Sequence, residues 1–284
     1  MIKAPELIKT IVITGASTGI GLATVKACIS AGYQVIATAR KDEDLKHLEQ
    51  LGAIAVFLEL SDKESVRFAA NEILQKADHD IHTLFNNAGY GLQVAMEDAT
   101  WEGLSLQHIT NVIGPIELTN HLLGALKPGS KLIFNSSILG LLSSSFRGPY
   151  AMSKYAIEAA ADSYRLELES LGVSVHLLEP GPIEANFRAT ASSMINKTLG
   201  DKKTRLDYTK HKERLDQVEF TKGTLPAESC SEIIVDIADG KKQKARYLVT
   251  NLAKIAAILK RLLGSRFDVL AKNSDPVQLR SEVK

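Results

Sequence analysis

Only two of the 284 residues are cysteine, one is tryptophan and eight are proline. Two thiols, Cys28 and Cys230, exclude a disulfide framework, and no C-x-x-C or Cys/His cluster offers metal-ligand spacing. An excess of one charge is also missing: 34 Lys and Arg face 33 Asp and Glu, for a net charge of +1. A general nucleic-acid binder is normally strongly basic, so no nucleic-acid partner is expected. No stretch approaches the roughly 18 uninterrupted apolar residues of a membrane span. The first nine residues are too short and too charged for a signal peptide, with Lys3, Glu6 and Lys9 breaking any apolar run. A cytoplasmic location is the default. Pro-rich linkers, internal repeats and low-complexity tracts are absent too, so one domain over residues 1–284 is expected.

What the sequence does have is alternation. Short runs rich in Ile, Val and Leu fall at 10–15, 34–39, 54–60, 83–87, 131–136, 174–179 and 246–250. Most are apolar on both faces, as buried parallel strands are. Helical periodicity fills 19–30, 42–51, 63–77, 101–126, 151–171 and 227–238. Gly32, Gly52 and Gly172 stand where a helix stops and the next strand starts. The pattern predicts a doubly wound α/β fold, a parallel sheet of about seven strands with helices on both faces.

Two segments break the alternation. Residues 186–224 carry no strand pattern, few apolar side chains and a basic run at 196–214. Their place after a strand's C-terminal end fits a substrate lid. Residues 252–263 read as an amphipathic helix that opens a C-terminal tail, 252–284. Such a helix packs on the body or on a sister subunit, or it lies on a membrane surface.

The first strand runs into Thr14-Gly15-Ala16-Ser17-Thr18-Gly19-Ile20-Gly21, and a helix follows at once. Glycines in a strand–turn–helix let the backbone approach a pyrophosphate, which the helix N-terminus then holds. A tight turn alone would use the same glycines. The G-x-x-x-G-x-G spacing is not that of a P-loop, which needs Gly-Lys-Ser/Thr. At the end of the second strand, an acidic residue would bond the ribose hydroxyls of NAD and repel the 2′-phosphate of NADP. Arg40 and Lys41 stand there instead. Arg40 offers a forked pair of donors to a phosphate, so NADP(H) is expected over NAD(H), unless Arg40 is simply solvated.

Tyr150 and Lys154, four apart at the start of a helical segment, share one face. A phenol titrates near 10, too high for acid–base work near neutrality, and a nearby ammonium lowers that value. With Tyr150-Ala151-Met152-Ser153-Lys154 the chain resembles the short-chain dehydrogenase/reductase family in its single-domain form. The likeness covers residues 8–185 and is looser beyond. It rests on T-G-x-x-x-G-I-G at 14–21, N-N-A-G at 86–89, Asn111 in N-x-x-G, Ser137, Y-x-x-x-K at 150–154, and Pro180-Gly181.

The resemblance implies a Rossmann fold and an oxidoreductase that moves a hydride between nicotinamide and a carbonyl or alcohol. Tyr150 would then pass a proton to the carbonyl oxygen, and Ser137 would hydrogen-bond the same oxygen. Lys154 would lower Tyr150 and hold the nicotinamide ribose, and Asn111 would hold a water linking Lys154 to solvent. Spacing to Tyr150 favours Ser137 over its neighbour Ser136. The implied cofactor contacts are Gly15, Ser17, Thr18, Gly19, Ile20 and Gly21 in the loop, Arg40, then Asn87, Ala88 and Gly89. Tyr150, Lys154, Pro180, Gly181 and Ile183 complete them. The tail and residues 180–188 resemble members that act on aldehydes, ketones, retinoids or steroids, so an apolar small-molecule carbonyl or alcohol is expected. Assembly as a homodimer or homotetramer through the long helices is implied as well.

Two positions depart from the family. An Asp near the adenine is replaced, so that either Glu59 or Asp62 must serve, and Ala185 stands where a threonine usually touches the carboxamide. A second Tyr-x-x-x-Lys, Tyr208 to Lys212, has Ile195 thirteen residues earlier in place of a serine, and is expected to be a solvated lid pair. Trp101, opening a helix, is expected to pack. The alternative function is a catalytically silent NADP-binding sensor or interaction protein. Its signature would be the loss of Tyr150, Lys154 or Ser137, and all three are present.

Overall fold

The computed structural model describes residues 8–184, 187–216, 223–274 and 277–279. Its strands are β1 (Thr10–Ile13), β2 (Gln34–Ala39), β3 (Ile54–Phe57), β4 (Ile81–Asn86), β5 (Leu126–Asn135), β6 (Ser174–Glu179) and β7 (Arg246–Leu248). They form one parallel sheet in the order β3-β2-β1-β4-β5-β6-β7. The chain starts in the middle, runs out to β3, returns to lay β4 beside β1, and then builds towards β7. Ligands bind at such a reversal of strand order, above the carboxyl ends of the strands.

The helices are α1 (Gly19–Ser30), α2 (Asp42–Gln50), α3 (Lys63–Lys76), α4 (Trp101–His108), α5 (Gly114–Leu122) and α6 (Gly148–Glu167). They continue with α7 (Phe187–Leu199), α8 (Thr209–Asp216), α9 (Glu228–Ala238), α10 (Asn251–Leu263) and α11 (Phe267–Ser274). Strand side chains alternate between two cores. Val12, Ile36, Leu84 and Phe134 pack under α3, α5 and α6. Ile11, Ile13, Val35 and Phe85 pack under α1, α2 and α9, together with Cys28 and Cys230. Each buried Ile, Leu or Phe stabilises by about 1.5–3 kcal/mol. Burial pushes both thiols up to about 12, so both cysteines act as small apolar side chains. The doubly wound parallel sheet of seven strands is present, and Gly32, Gly52 and Gly172 all take positive φ at helix ends.

Four expectations are corrected. The helix expected at 101–126 is interrupted by a π-turn, Ile109–Ile113, and ends early, because β5 already begins at Leu126. Trp101 does not pack: it is 82% exposed. The segment 186–224 is not poor in core. Its residues 187–216 hold α7 and α8, whose Ala191, Ile195, Leu199 and Leu215 meet Leu92, Val94 and Phe146 in a third apolar cluster; residues 186 and 217–222 lie outside the description. Tyr208 is buried in that cluster, donating a hydrogen bond to Asp98 at 2.8 Å and accepting one from the Ala95 N–H at 2.9 Å. Only its partner in the motif, Lys212, is a surface group, bonded to Asn196. The basic run is locally paired, Lys202 with Asp98 and Arg205 with Glu97.

Candidate active site

The loop after β1 is tied down from three sides. Thr14 Oγ1 accepts from the Asn87 and Ala88 N–H groups, both at 3.0 Å. Asn87 Nδ2 donates to the Thr14 and Gly15 carbonyls at 2.9 and 3.0 Å, and its Oδ1 accepts from Asn135 Nδ2. The Ala16 N–H reaches the Thr38 carbonyl of β2 at 2.9 Å. Gly15 has φ +63°, and a Cβ there would lie 2.7 Å from Ala88 Cα, so no other residue fits. Asn87 and Ala88 thus meet the glycine loop, with Asn87 bracing β1 against β5, while Gly89 lies against the Asn111 side chain. Past Ser17, α1 begins at Gly19, Ile20 and Gly21 with Thr18 as its N-cap. The Thr18 side chain caps no amide, and the first turn holds no acidic residue. First-turn N–H donors with the helix dipole behind them suit a phosphate group.

Arg40 follows β2 directly and is exposed, bonded through Nη1 to Glu59 Oε2 at 3.0 Å. Glu59 also accepts from Ser61 N–H and Ser61 Oγ–H. Burial pushes the Glu59 carboxyl up, but the bonds from Ser61 and Arg40 outweigh it and hold the group below its usual value. Asp62 is committed elsewhere: it caps α3 by accepting from the Glu64 and Ser65 N–H groups. Of the two acids, Glu59 is the one beside Arg40.

The third group gathers at the start of α6. Tyr150 is buried beside Ser137, whose hydroxyl donates to the Pro180 carbonyl at 3.5 Å; burial pushes the phenol up and the neighbouring Ser137 side chain opposes the shift. Lys154 Nζ lies 5.6 Å from the Tyr150 ring centre and donates to the Asn135 carbonyl at 2.6 Å. Burial pushes the Lys154 ammonium down to about 8, against the pull of Glu158 one turn on. Ser137 Oγ also accepts from the Leu139 N–H, while the Ser136 hydroxyl is buried without a hydrogen-bond partner among the described residues. Pro180 accepts from Ile138 N–H at 3.0 Å, which draws the turn after β6 to the same place. A Cβ at Gly181 would lie 2.1 Å from Thr250 Oγ1, so the glycine admits the start of α10. Ile183 pairs with Leu225 and leans on the second core. Ala185 lies outside the described residues.

Asn111 sits in the π-turn. Its Nδ2 donates to the Tyr90 carbonyl at 2.9 Å and to Ser153 Oγ at 3.1 Å, and its Oδ1 accepts from the Tyr90 N–H at 3.0 Å. The side chain clamps the β4 loop to α6. Two further residues carry weight that the motifs did not mark. Asn135 holds both Asn87 and Lys154, and Phe187, opening α7, packs against Tyr150 with the rings tilted by 56° and their centres 5.2 Å apart. The Asn-Ser-Ser run at 135–137 was the only local signal for the first. The second lies in the 180–188 stretch, where only its place marked it.

A helix N-terminus free of acids, an exposed guanidinium at the neighbouring strand end and a buried ammonium beside a phenol fit a nicotinamide dinucleotide: donors for phosphates at one end, for ribose hydroxyls at the other. The comparisons agree with this geometry. The short chain dehydrogenase family profile matches residues 9–196. An uncharacterized oxidoreductase of Escherichia coli, YbbO, is 34% identical over 272 residues, covering 93% of this chain and 96% of its own. An NADPH-dependent 3-dehydrocapnine reductase of Ornithobacterium rhinotracheale is 33% identical over 250 residues, covering 84% and 87%. A short-chain dehydrogenase/reductase of Burkholderia phymatum, solved with NAD, superposes with a TM-score of 0.77 at 20% identity, covering 96% and 98%. With the family profile spanning most of the chain and the parallel sheet beneath it, this protein is an oxidoreductase belonging to the short-chain dehydrogenase/reductase family.

Proposed function

We propose that the chain is an NADP(H)-dependent oxidoreductase acting on an apolar carbonyl or alcohol, with Tyr150 as its general acid and base. The observation that carries this reading is the meeting of Tyr150, Ser137 and Lys154 at one strand edge, next to an acid-free helix N-terminus. When bound, nicotinamide supplies or accepts the hydride. The chain's own residues handle the proton. The Tyr150 hydroxyl protonates the carbonyl oxygen in reduction and takes the proton back in oxidation. Ser137 donates to that oxygen as charge develops on it. Lys154, held by Asn135, stabilises the phenolate. Asn111 spends its side chain on Tyr90 and Ser153, so a water linking Lys154 to solvent would rest on main-chain groups of the π-turn. Phe187, packed against Tyr150 and Gly91, supplies the apolar cover over Tyr150 that a hydrophobic substrate needs.

Arg40 supports NADP(H), since an exposed ion pair with Glu59 is worth about 0–1 kcal/mol and yields readily to a 2′-phosphate. The NADPH-dependent relative points the same way. In this reading the 284 residues act as one unit, with 187–216 as lid and a tail from about 252, assembled as a dimer or tetramer.

The test is steady-state turnover of a panel of aldehydes and ketones with NADPH and NADH. NADPH is expected to be preferred. Arg40→Ala should raise the KM for NADPH by about tenfold or more, the worth of a charge-assisted hydrogen bond, and leave that for NADH unchanged. Equal use of both cofactors with no effect of Arg40→Ala would overturn the NADP assignment. Cofactor binding without any turnover would point to the silent sensor.

A further inference from the structure

The last helices of the chain are built inside out. α10 turns its small side chains inward: Ala253 is buried, and Ala256 and Ala257 are half-buried. Its large ones face out. Leu252, Ile255, Ile258 and Leu262 are 54%, 57%, 58% and 75% exposed. At 3.6 residues per turn these four fall within an arc of about 120°. Lys254 and Arg261, both exposed, line one border of that arc. Beyond the helix, α11 adds exposed Val269 and Leu270.

The arrangement does not serve the chain's own core. A helix that packed on its sheet would bury isoleucine and leucine and expose alanine. α10 instead approaches closely through alanines. Its Thr250 cap and Ala253 sit on Gly181, and Phe267 of α11 is buried beneath the Lys260 ammonium.

Charge then selects the partner. Residues 251–274 hold five Lys and Arg against the single Asp268, within a chain whose net charge is +1. An aliphatic arc bordered by cations complements the acyl–headgroup boundary of an anionic bilayer. The helix is 13 residues long, about 20 Å, and cannot cross a hydrocarbon core of about 30 Å. No described helix is long and apolar enough to do so. It can lie flat.

We propose that the exposed aliphatic face of α10 docks the protein on an anionic membrane surface. Because all strands are parallel, α10 leaves β7 at the same sheet edge that carries Tyr150, Ser137 and Gly181. Docking would therefore bring that edge to the lipid, where an apolar substrate partitions.

The test is co-flotation of the full chain with phosphatidylcholine vesicles, with and without phosphatidylglycerol, alongside light scattering in the absence of lipid. The unmodified protein should float with the anionic vesicles and at least tenfold less with the neutral ones. Each basic side chain near an anionic surface contributes about fivefold, so Lys254→Glu with Arg261→Glu should weaken binding by about 25-fold or more. Ile255→Asp with Leu262→Asp should abolish it, with a thermal melt like that of the unmodified protein, since both side chains are exposed. Failure to float with anionic vesicles, or flotation that survives both double variants, would overturn the proposal. So would a fall in oligomeric mass of Ile255→Asp/Leu262→Asp without lipid, because a second copy would then be what covers the arc. None of these readings needs cofactor or turnover, so they stand or fall apart from the proposed activity.

Discussion

Tyr150 is a phenol that the fold alone makes a poorer acid. Burial raises it and only Ser137 opposes; in the proposed mechanism the compensating positive charge comes from Lys154 and from the nicotinamide ring when bound. On the proposed reading, Tyr150→Phe lowers kcat by about 10²–10⁴, while calorimetric titration shows NADPH affinity nearly unchanged. Lys154→Met acts differently. Without the ammonium the phenolate loses its stabilisation, so the rate of alcohol oxidation should begin to rise only at higher pH. A pH–rate profile checks this, and an unmoved limb would show that another group takes the proton. These residues were legible because their chemistry is local: a glycine loop after a strand, a tyrosine and a lysine one helical turn apart. Asn135 was not, because its importance lies in contacts with Asn87 and Lys154, 48 and 19 residues away.

The elements carry the same lesson. Residues 101–122 keep helical side-chain periodicity throughout, so nothing in their pattern distinguishes the π-turn at Ile109–Ile113 from the helices around it. The backbone register there coincides with the Asn111 clamp on Tyr90, a tertiary contact spanning 21 residues. Asn111→Ala leaves the partly buried Tyr90 amide without its acceptor, while the Tyr90 carbonyl keeps the bond from Gln107 Nε2, and should cost about 1–3 kcal/mol. Asn111→Asp keeps the acceptor for Tyr90 N–H but loses both donors, so its melting temperature should fall between those of the unmodified and alanine proteins. The lid was misread for a similar reason. Its few apolar residues look insufficient alone, but they close a cluster with Leu92, Val94 and Phe146 from distant loops. Tyr208 sits among charged neighbours in sequence and among apolar ones in space. On the proposed reading Phe187 is the lid's contact with the site, and Phe187→Ala should raise the KM for an apolar carbonyl by roughly tenfold, the worth of a lost apolar contact. The KM for NADPH should move little, and steady-state kinetics with each substrate varied would separate the two.

At the scale of the whole molecule, the sheet's last edge is held by charge rather than by apolar packing alone. β7 is three residues long, and its Arg246 reaches back over α6 and β6. It bonds Glu158 at 3.1 Å and Asp162 at 2.7 and 2.8 Å, and its Nε lies 3.3 Å from a Glu179 oxygen without hydrogen-bonding it. Asp162 is shared with Arg165, whereas Glu179 is fully buried at the end of β6, immediately before Pro180-Gly181. Burial, and then the Glu158 carboxyl beside it, push Glu179 up to about 8, and Arg246 offsets only part of this. The folded protein therefore holds the Glu179 proton more tightly than the unfolded chain, where a glutamate titrates near 4.3. The resulting stability is fully present below the unfolded value and is lost as pH rises towards the folded one. It amounts to about 1.4 kcal/mol for each pH unit between the two. Glu179→Gln keeps the neutral shape without a proton to lose. The melting temperatures of the two proteins should nearly coincide at about pH 4 and diverge steadily up to about pH 8, where the difference levels off, with the variant the more stable. A difference that stays flat with pH would mean that Arg246 holds Glu179 ionised throughout, and that the edge strand docks through a permanent ion pair.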